Sequence, residues 1–331
     1  MRVSVIVLKP GLLSTLQDAG RPDHAALGVG RAGAMDGPAW QLANALVGNV
    51  GGEAAIECTL LGPTLQFTEA AVIALTGATM EGSVQGQLIP LWTRCHLPAG
   101  SVLQLGGMSV GCRSYLAVGG GFDVPKKLGS RSTDLHARLG HANGRALRAG
   151  DELPIGTSAS HAIAHRDDEL TSQPWSIDPR PWFEVTMQPL ALLPGKHSDL
   201  LDEKSQQILH EGRFLLSKDS NRTAGRLDGH TLSLRQPLEL ISEATLPGTL
   251  QLPPSGQPIA LLAEAPVTGG YPRIGQIAAV DLPRLAQRRP GDTVSFRPCT
   301  LDDAVRRLHE REQRLATLIQ AIQRRLDQSA H

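Results

Sequence analysis

The sequence contains few aromatic residues. Phe, Trp and Tyr make up 3% of its 331 residues, whereas 41% of the residues are hydrophobic. The packed interior must therefore be built from aliphatic side chains, and a hydrophobic fraction of this size excludes a disordered chain. The length is sufficient for two domains.

The sequence also lacks a net charge, because 32 basic residues balance 32 acidic ones. A balanced chain has no overall electrostatic attraction to nucleic acid or to an anionic membrane. We therefore expect no nucleic-acid and no membrane partner, although a local basic patch is still compatible with this balance.

Cysteines and long hydrophobic runs are scarce as well. The four cysteines, Cys58, Cys95, Cys112 and Cys299, form no C-x-x-C pair and no zinc-ligand spacing, which predicts neither a disulfide nor a metal site. The run MRVSVIVLKPG reaches Pro10 too early for a signal sequence and predicts a first β-strand. No run approaches the ~18 apolar residues of a membrane-spanning helix. These features predict a cytoplasmic protein in a reducing compartment.

Glycine and proline, by contrast, are abundant, with 35 and 23 residues. They separate short apolar runs such as AAVIALTGA, RSYLAVGG and QPIALLAEA. Short apolar runs bounded by Gly and Pro are typical of strands in a barrel or sandwich, and strands alternating with long helices are absent. The sequence predicts a mainly β fold with few short helices.

Two similar segments suggest two similar domains. RAGDELPI (148–155) and RPGDTVSF (289–296) each combine a Gly-Asp turn with an alternating strand. We predict a first β-barrel domain over 1–156, a polar, proline-bearing linker over 157–182 and a second β-barrel domain over 183–298.

The remaining segment, 299–331, predicts a long amphipathic helix. Its apolar residues fall at heptad-like spacing: Leu301, Val305, Leu308, Leu315, Ile319, Ile322 and Leu326. Such a stripe either packs along its own domain or pairs two copies of the chain into a homodimer.

The segment GVGRAGAMDG places Gly28, Gly30 and Gly33 in the spacing G-x-G-x-x-G, which is typical of dinucleotide-binding folds. That motif requires a buried strand directly before the first glycine, whereas the preceding residues are QDAGRPDHAAL. Glu53, at the distance of a ribose-binding acid, follows a turn instead of a strand. We therefore interpret the glycines as turn residues, and no P-loop motif occurs.

Polar residues cluster around this segment and in one later loop. Asp36 is placed to cap the helix predicted for GPAWQLANALVG, and Asp18 with Arg21 can form an ion pair within a turn. The loop GSRSTD (129–134) offers hydroxyl, backbone N–H and guanidinium groups that suit a carboxylate or a phosphate.

The second half carries a further polar cluster. Glu243 and Gln251 lie in ISEATLPGTLQLPPSGQP, and VTGGYPRIG carries Thr268, Gly269, Gly270, Tyr271 and Arg273. Two adjacent glycines allow a backbone to approach a ligand closely, and they also suit a plain tight turn. No Ser-His-Asp spacing or nucleophile elbow is visible.

Several blocks resemble a known family. They include PGLLSTLQDAGRP, GVGRAGAMDGPAWQLANALVGN, GCRSYLAVGGGFDVPKKLGSRSTD, GRALRAGDELPIG and ISEATLPGTLQLPPSGQPIALLAEAPVTGGYPRIGQIAAVDLPRLAQRRPGD. The sequence resembles the biotin-dependent carboxyltransferase / allophanate hydrolase subunit 2 family, whose members include the C-type subunits of bacterial 5-oxoprolinases. The resemblance covers most of residues 9–292 and implies two cyclophilin-like β-barrel domains.

The resemblance also implies an activity and partners. It suggests a component of an ATP-dependent amidohydrolase that opens the lactam 5-oxoproline to L-glutamate. The implied partners are a B-type subunit, similar to allophanate hydrolase subunit 1, and an A-type lactam-utilisation protein. The resemblance therefore also implies that the complex uses ATP, which this chain shares with its partner subunits, at a site that the sequence does not identify.

The chemistry of such a site suggests roles for matching positions, since charge on the activated lactam must be held and water must be positioned. As catalytic candidates we take Asp18, Arg21, Asp36, Glu57 and Glu243. As substrate-binding candidates we take Asn44, Arg131, Ser132, Thr133, Arg222, Gln251, Thr268, Gly269, Gly270 and Tyr271.

The sequence departs from the family at two places. Members usually carry Ser-Asp-Arg-Met-Gly where this chain has Ser220, Asn221, Arg222, Thr223 and Ala224 before Gly225. The acidic group that could act as a base or orient the arginine is therefore missing there. LALLPGKHSD likewise lacks the usual Gly-Pro-Gln strand end. Two alternative functions stay open: the carboxyltransferase component of a biotin-dependent urea-type carboxylase, with a separate biotin carrier, and a non-catalytic regulator of a histidine kinase.

Overall fold

The computed structural model describes residues 3–49, 52–157, 169–183, 187–238 and 240–328. Much of the predicted linker, 158–168, lies outside the described residues. The chain divides into a first unit, made of Met1–Gly20, Asp36–Glu184 and Arg314–His331, and a second unit, made of Arg21–Met35 and Val185–Gln313. The predicted domain boundaries stay a prediction.

The first unit contains a ten-stranded sheet. Its strands are β1 (Ser4–Lys9), β2 (Leu13–Gln17), β3 (Ala55–Thr59), β4 (Thr64–Phe67), β5 (Ala71–Val84), β6 (Gln87–Leu88), β7 (Arg94–Leu97), β8 (Val102–Val118), β9 (Glu152–Pro154) and β10 (Thr171–Ser172). The main path runs β10-β7-β5-β8-β4-β1-β9, β3 pairs with β8 and with β2, and β6 pairs with β5. All of these pairs are antiparallel.

One face of this sheet is apolar. Because side chains alternate along a strand, residues two apart share a face. The face that carries Leu16, Ile56, Leu116 and Ile73 belongs to a large aliphatic core. This core contains many Leu, Ile and Val residues and few aromatic ones, as the composition predicts.

The opposite face of the same strands is polar yet buried. Cross-strand pairing aligns Thr15 with Glu57, Glu57 with Tyr115, and Tyr115 with Thr76. All four are at most 1% exposed. Helix α1 (Gly37–Leu46) packs on this face, where the Thr76 hydroxyl donates to the Ala39 carbonyl oxygen at 2.7 Å.

The second unit contains an eight-stranded sheet and a small hairpin. The strands are β11 (Leu190–Pro194), β12 (Phe214–Leu216), β13 (Ala224–Asp228), β14 (Glu243–Ala244), β15 (Thr249–Gln251), β16 (Ile259–Leu261), β17 (Thr268–Gly269), β18 (Arg273–Ile277), β19 (Thr293–Val294) and β20 (Phe296–Pro298). The large sheet runs β19-β12-β13-β16-β15-β18-β11-β20, and β14 pairs with β17. Only the β11–β20 pair is parallel among the described strands.

The two Gly-Asp segments form the same turn in their respective units. Asp151 N–H donates to the Arg148 carbonyl oxygen and Asp292 N–H to the Arg289 carbonyl oxygen, at 3.1 and 2.9 Å. Each aspartate also accepts from the corresponding arginine N–H at 2.8 Å. The glycines between them have φ values of 87° and 88°, a left-handed conformation that favours glycine. The predicted tight turns before β9 and β19 are confirmed.

Helices are few and short, apart from the last. Besides α1, the structure describes α2 (Glu203–Glu211), α3 (Leu282–Ala286) and α4 (Leu301–Gln328) as α-helices. The predictions of a mainly β fold and of a long C-terminal helix are confirmed. None of the described helices is both long and apolar enough to cross a membrane.

Part of the apolar stripe of α4 is buried within the chain. Leu315, Ile322 and Leu326 are at most 5% exposed, whereas Leu301 and Val305 are 65% and 57% exposed. This burial favours the reading in which the stripe packs in its own chain. Homodimerisation through the helix stays a prediction.

The glycine-rich segment has no dinucleotide-binding geometry. The residues before it form a 3₁₀ helix, Pro22–Leu27, instead of a buried strand, and Gly28 ends that helix with φ 78°. The interpretation of Gly28 as a turn residue is confirmed.

Candidate functional site

Asp18, at the end of β2, is the centre of a buried hydrogen-bond network in the first unit. Its carboxylate accepts the hydroxyl groups of Ser130 and Ser132, both at 2.5 Å, and the backbone N–H of Arg131 at 2.6 Å. Asp18 is 7% exposed. These bonds attach the 129–134 loop to the end of β2, so the network is already satisfied without a ligand.

Arg131 and Thr133, two other loop residues predicted to bind substrate, also interact with groups of the protein. The Arg131 guanidinium donates to the Val124 carbonyl oxygen at 2.9 Å and lies 3.6 Å from the Asp123 carboxylate. Thr133 donates its N–H to the Leu16 carbonyl oxygen, and its own carbonyl oxygen accepts the Gln17 amide. Their proposed binding roles stay predictions.

A tyrosine connects Asp36 with Glu57. The Tyr115 hydroxyl donates to Glu57 Oε2 at 2.7 Å and accepts the Asp36 backbone N–H at 2.7 Å. Burial, and then the nearby negative charges, raise the pKa of Tyr115 well above its ordinary value, so the hydroxyl keeps its proton. Arg113 Nε lies 3.9 Å from Glu57.

Asp36 also caps α1, as its sequence position predicts. Its Oδ1 accepts the Ala39 N–H at 3.2 Å. Asp36 and Glu57 are at most 1% exposed, so the structure places both inside the buried polar face of the first sheet. Sequence reasoning missed Tyr115, although its register opposite Glu57 follows once the β3–β8 pairing is known.

Asn44 secures the far end of α1. Its side-chain amide donates to the Glu53 carbonyl oxygen at 3.0 Å, and its Oδ1 accepts the Asn49 amide at 2.7 Å. Asn49 in turn donates to the Val118 carbonyl oxygen. The asparagine therefore links the helix to the loop after it and to β8.

In the second unit, Arg222 is buried beside a carboxylate that sequence reasoning missed. Its Nε donates to Glu264 at 2.5 Å and its Nη2 to the Gly33 carbonyl oxygen at 2.7 Å. Glu264 therefore orients the arginine, the role that the missing motif aspartate was expected to fill. A carboxylate inside the apolar run IALLAEA was the available signal.

Asn221 and Arg21 both form hydrogen bonds with nearby backbone groups. Asn221 Oδ1 accepts the N–H groups of Thr223 and Ala224, at 2.8 and 3.1 Å, which shapes the turn before β13. Arg21 is 1% exposed, and its backbone N–H donates to the Arg31 carbonyl oxygen at 2.7 Å.

A charged cluster at the surface of the second unit has a different character. Glu243 accepts hydrogen bonds from Lys196 and from Arg273. The glutamate side chain is 33% exposed and the lysine 59%. The hydrogen bond from Lys196, with the positive charges of Lys196 and Arg273, holds the pKa of Glu243 below its ordinary value. The carboxylate is therefore ionised at neutral pH.

His197 completes the cluster. Its Nδ1 accepts the Arg273 backbone N–H at 3.0 Å, which assigns the ring proton to Nε2. Burial lowers the pKa of His197, and the nearby Glu243 carboxylate offsets only part of that effect. The imidazole is therefore neutral at pH 7.

The Gln251 side chain lies next to this cluster. Gln251 pairs with Arg273 across β15 and β18, and Glu243 pairs with Gly269 across β14 and β17. A Cβ atom on Gly269 would lie 2.5 Å from Gln251 Nε2. The glycine thus permits the buried amide to approach the β17 backbone.

The Gln251 amide is 5% exposed, and its Nε2 has no hydrogen-bond partner among the residues that the structure describes. A buried amide donor without a partner costs free energy unless a ligand or water accepts from it. Tyr271, two residues beyond Gly269, is 45% exposed. The structure therefore brings together Glu243, Gln251 and the 268–271 segment.

Sequence reasoning missed Lys196 and His197 of this cluster, whereas it noted Arg273 in the VTGGYPRIG segment without giving it a role. The signal for the two missed residues was the polar GKHSD run directly after β11. The two cations and the carboxylate of the cluster, together with the unpartnered donor of the adjacent Gln251, suit an anionic or strongly polarised oxygen. No group of three or more His, Cys, Asp or Glu residues that could bind a metal occurs in the described part of the chain.

Comparisons with known proteins agree with this architecture. The model of the family "Carboxyltransferase domain, subdomain A and B" matches residues 27–298. The chain is 38% identical to the C subunit of 5-oxoprolinase from Escherichia coli K12, over 91% of this chain and 93% of that protein. It is 37% identical to the C subunit of 5-oxoprolinase from Haemophilus influenzae, over 88% of this chain and 90% of that protein.

A solved structure extends the similarity to a larger enzyme. The crystal structure of the K. lactis urea amidolyase matches with a TM-score of 0.85 and 27% identity, over 95% of this chain. This chain spans only 20% of that protein. The family predicted from the sequence blocks is confirmed: the chain belongs to the carboxyltransferase domain family, subdomains A and B.

Proposed function

We propose that this chain is the C-type subunit of an ATP-dependent 5-oxoprolinase, in which it acts with a B-type and an A-type subunit. The proposed reaction opens the lactam ring of 5-oxoproline to give L-glutamate. Two relatives that carry the name of this component are nearly as long as this chain, which supports the proposal. The observation that carries it is the charged surface cluster of Lys196, His197, Glu243 and Arg273, together with the adjacent buried amide of Gln251.

The chemistry of a lactam explains why such a cluster is useful. The amide is resonance-stabilised and its nitrogen is a poor leaving group, so the oxygen must be activated before water attacks. ATP supplies the phosphoryl group for that activation. Lys196 and Arg273 are suited to hold negatively charged oxygens of the activated substrate, and the Gln251 amide is suited to donate to a substrate carbonyl or carboxylate.

Glu243 has two roles in this proposal. Its lowered pKa makes it a weak proton acceptor, but its ionised oxygens hold both cations in place and can accept a hydrogen bond from the attacking water. The neutral His197, through its Nδ1, fixes the backbone of Arg273 at the start of β18.

The proposed partner has a surface available near this cluster. Ile241, Leu246 and Tyr271 lie within three residues of Glu243 or Gly269 along the chain and are 91%, 67% and 45% exposed. Large apolar side chains at the rim of a polar site are typical of a protein interface. We propose that they are covered by the B-type subunit, so that the chain is active only in the complex.

The alternative function is that of the carboxyltransferase component in a biotin-dependent urea-type carboxylase. The similarity to the K. lactis urea amidolyase over almost the whole chain favours it. The sequence has no biotin-accepting Ala-Met-Lys motif, so this function would require a separate carrier.

The test is to reconstitute the chain with the A-type and B-type proteins of the same genome and to measure glutamate formed from 5-oxoproline and ATP. We expect turnover by the full complex and a decrease of about 10²-fold or more in kcat for Glu243→Gln, since an electrostatic group is lost. Glu310→Gln is the matched control, because it changes an exposed glutamate that pairs only with Arg306 among the described contacts.

Absence of turnover by a correctly assembled wild-type complex would rule out the 5-oxoprolinase proposal. Carboxyl transfer from carboxybiotin, measured with the same preparation, would then support the alternative. Equal turnover by the Glu243 variant and its control would instead remove the surface cluster from the reaction.

A further inference from the structure

Arg94, the first residue of β7, carries a buried charge that the proposed function does not use. Its side chain is 1% exposed, and none of its three guanidinium nitrogens has a hydrogen-bond partner among the described residues. Burial lowers the pKa of Arg94 to about 10, so the group is still charged at neutral pH. A buried cation is strongly destabilising unless an anion or hydrogen-bond acceptors compensate it.

The cross-strand neighbours of Arg94 on β5 and β8 offer no such compensation. Arg94 pairs with Ala74 of the neighbouring strand β5, and Ala74 pairs with Ala117 of β8. Alanine side chains have no polar atoms, so this row does not contribute an acceptor. The three guanidinium nitrogens, which have no partner among the described residues, are therefore available to donate to a bound anion.

A second buried polar group lies on the same face. Thr171 of β10 pairs with His96, which is two residues from Arg94, so its side chain projects to the same side of the sheet. The Thr171 hydroxyl is buried and has no hydrogen-bond partner in the described parts of the chain. Diagonal neighbours on adjacent strands are about 7–8 Å apart, which leaves one small ligand within reach of both groups.

The segment 170–177, here called the strap, covers this position. Within it, the N–H groups of Gln173 and Ile177 donate to the carbonyl oxygens of Arg94 and Trp92, both at 3.0 Å. Within the strap, only Thr171 and Ser172 form regular strand pairing, which joins them to β7 at the edge of the sheet. The strap is also held by the buried Ile177 and by the Trp175 ring, whose centroid lies 5.2 Å from the Arg325 guanidinium. Opening of the strap would break these contacts but leave the other strand pairs of the sheet intact.

We propose that Arg94 and Thr171 form a binding site for a small oxyanion, which enters when the strap opens and is enclosed when the strap closes. The flat guanidinium presents two parallel N–H groups that match two oxygens of a carboxylate or a phosphate. The threonine hydroxyl donates to a further oxygen. Both residues of this site belong to the first unit, whereas the residues of the Glu243 cluster belong to the second.

Thermal unfolding in the presence of anions tests the site. Acetate and phosphate are titrated to about 20 mM against chloride of equal ionic strength, because a ligand that binds only the folded state raises the melting temperature. For the wild type we expect a rise of about 2 °C or more with at least one oxyanion. A response to acetate alone indicates a carboxylate ligand, and a response to phosphate alone indicates a phosphate ligand.

Three variants assign the effect to the proposed residues. Arg94→Met should abolish the response, and it should be at least as stable as the wild type without oxyanions, because it removes an uncompensated charge. Thr171→Val should raise the dissociation constant about threefold to tenfold, which corresponds to one lost hydrogen bond. Arg324→Met, on the exposed side of α4, is the matched control and should respond as the wild type does.

Three results would overturn the proposal. The first is a wild type that does not respond to either oxyanion, and the second is a response to chloride as large as that to the oxyanions. The third is an equal response in the wild type and in Arg94→Met. If Arg94→Met does not fold, Arg94→Lys replaces it: the lysine keeps the charge without the two parallel N–H groups, and unchanged binding would also contradict the proposal.

Discussion

The carboxylates of the two units differ in their surroundings. In the first unit, Asp18 and Glu57 are almost completely buried, and hydroxyl and N–H groups of their own unit donate to them. In the second unit, Glu243 is one-third exposed and holds two cationic side chains near solvent. A substrate can reach the second arrangement directly, whereas the first is already satisfied by the protein.

This difference indicates that carboxylates have two roles in this protein, one in stability and one in binding or catalysis. Buried, fully bonded carboxylates contribute to the free energy of unfolding, because removing one leaves several donors without an acceptor. An exposed carboxylate between two cations contributes little stability and is available for binding or catalysis. Substitutions in the first unit should therefore change stability, and substitutions in the cluster should change activity.

The largest expected effect is at Asp18. Asp18→Ala leaves the hydroxyls of Ser130 and Ser132 and the N–H of Arg131 without their common acceptor. We expect the free energy of unfolding to fall by about 3 kcal/mol, since hydrogen bonds to a charged group exceed neutral ones. Urea denaturation of the isolated chain measures it, and a loss below about 1 kcal/mol would show that water replaces the carboxylate there.

Tyr115→Phe should have the next largest effect. The change removes one oxygen and leaves both the Glu57 carboxylate and the Asp36 N–H without their shared partner. We expect a loss of about 2 kcal/mol in the free energy of unfolding, because both groups stay buried. Tyr271→Phe, at an exposed tyrosine, is the matched control for stability, and equal losses in the two variants would contradict the contrast between the units.

Gly269→Ala, in the second unit, should change activity more than stability. The added Cβ would approach Gln251 Nε2 to 2.5 Å, so the amide must move away, while its flexible side chain keeps the cost to stability small. We expect kcat/KM of the reconstituted complex to fall about tenfold, which equals about 1.4 kcal/mol of transition-state stabilisation. Gly107→Ala is the matched control, because a Cβ added there meets no atom within 4 Å. Unchanged kcat/KM in Gly269→Ala would mean that the Gln251 amide is not part of the site.

Much of the fold could be predicted because local signals determine it. Glycine and proline spacing indicated short strands, which is correct for most of them but wrong for β5 and β8, which continue through glycines for 14 and 17 residues. The Gly-Asp turns before β9 and β19 form as expected, and Asp36 caps α1. The cross-strand partners could not be predicted in the same way. Tyr115 meets Glu57 only through the register of β3 and β8, which depends on packing of residues 58 positions apart.

The candidate site could be predicted only in part for the same reason. Glu243, Gln251, Gly269 and Arg273 stood out by their residue types and neighbours. Lys196 and His197 were recognisable only once the segment after β11 lay beside Glu243 of β14 and Arg273 of β18. Glu264, which orients Arg222, lies 42 residues from it along the chain. Residue type indicates which chemistry is available, but tertiary pairing decides whether a charge is used internally or presented to a substrate.

The smallest expected effect is the pH dependence of stability that Glu243 contributes. Its folded pKa lies below its ordinary value, so its contribution is fully present above the unfolded pKa of about 4.3 and is lost as the pH falls through the lower folded value. The difference in free energy of unfolding between the wild type and Glu243→Gln should therefore be constant from pH 7 to about pH 5 and decrease below it. Urea denaturation across this pH range, with Glu310→Gln as control, measures the difference. A difference that grows as the pH falls would mean that the cations do not stabilise the ionised form, and the contrast between the two units would then lose its electrostatic basis.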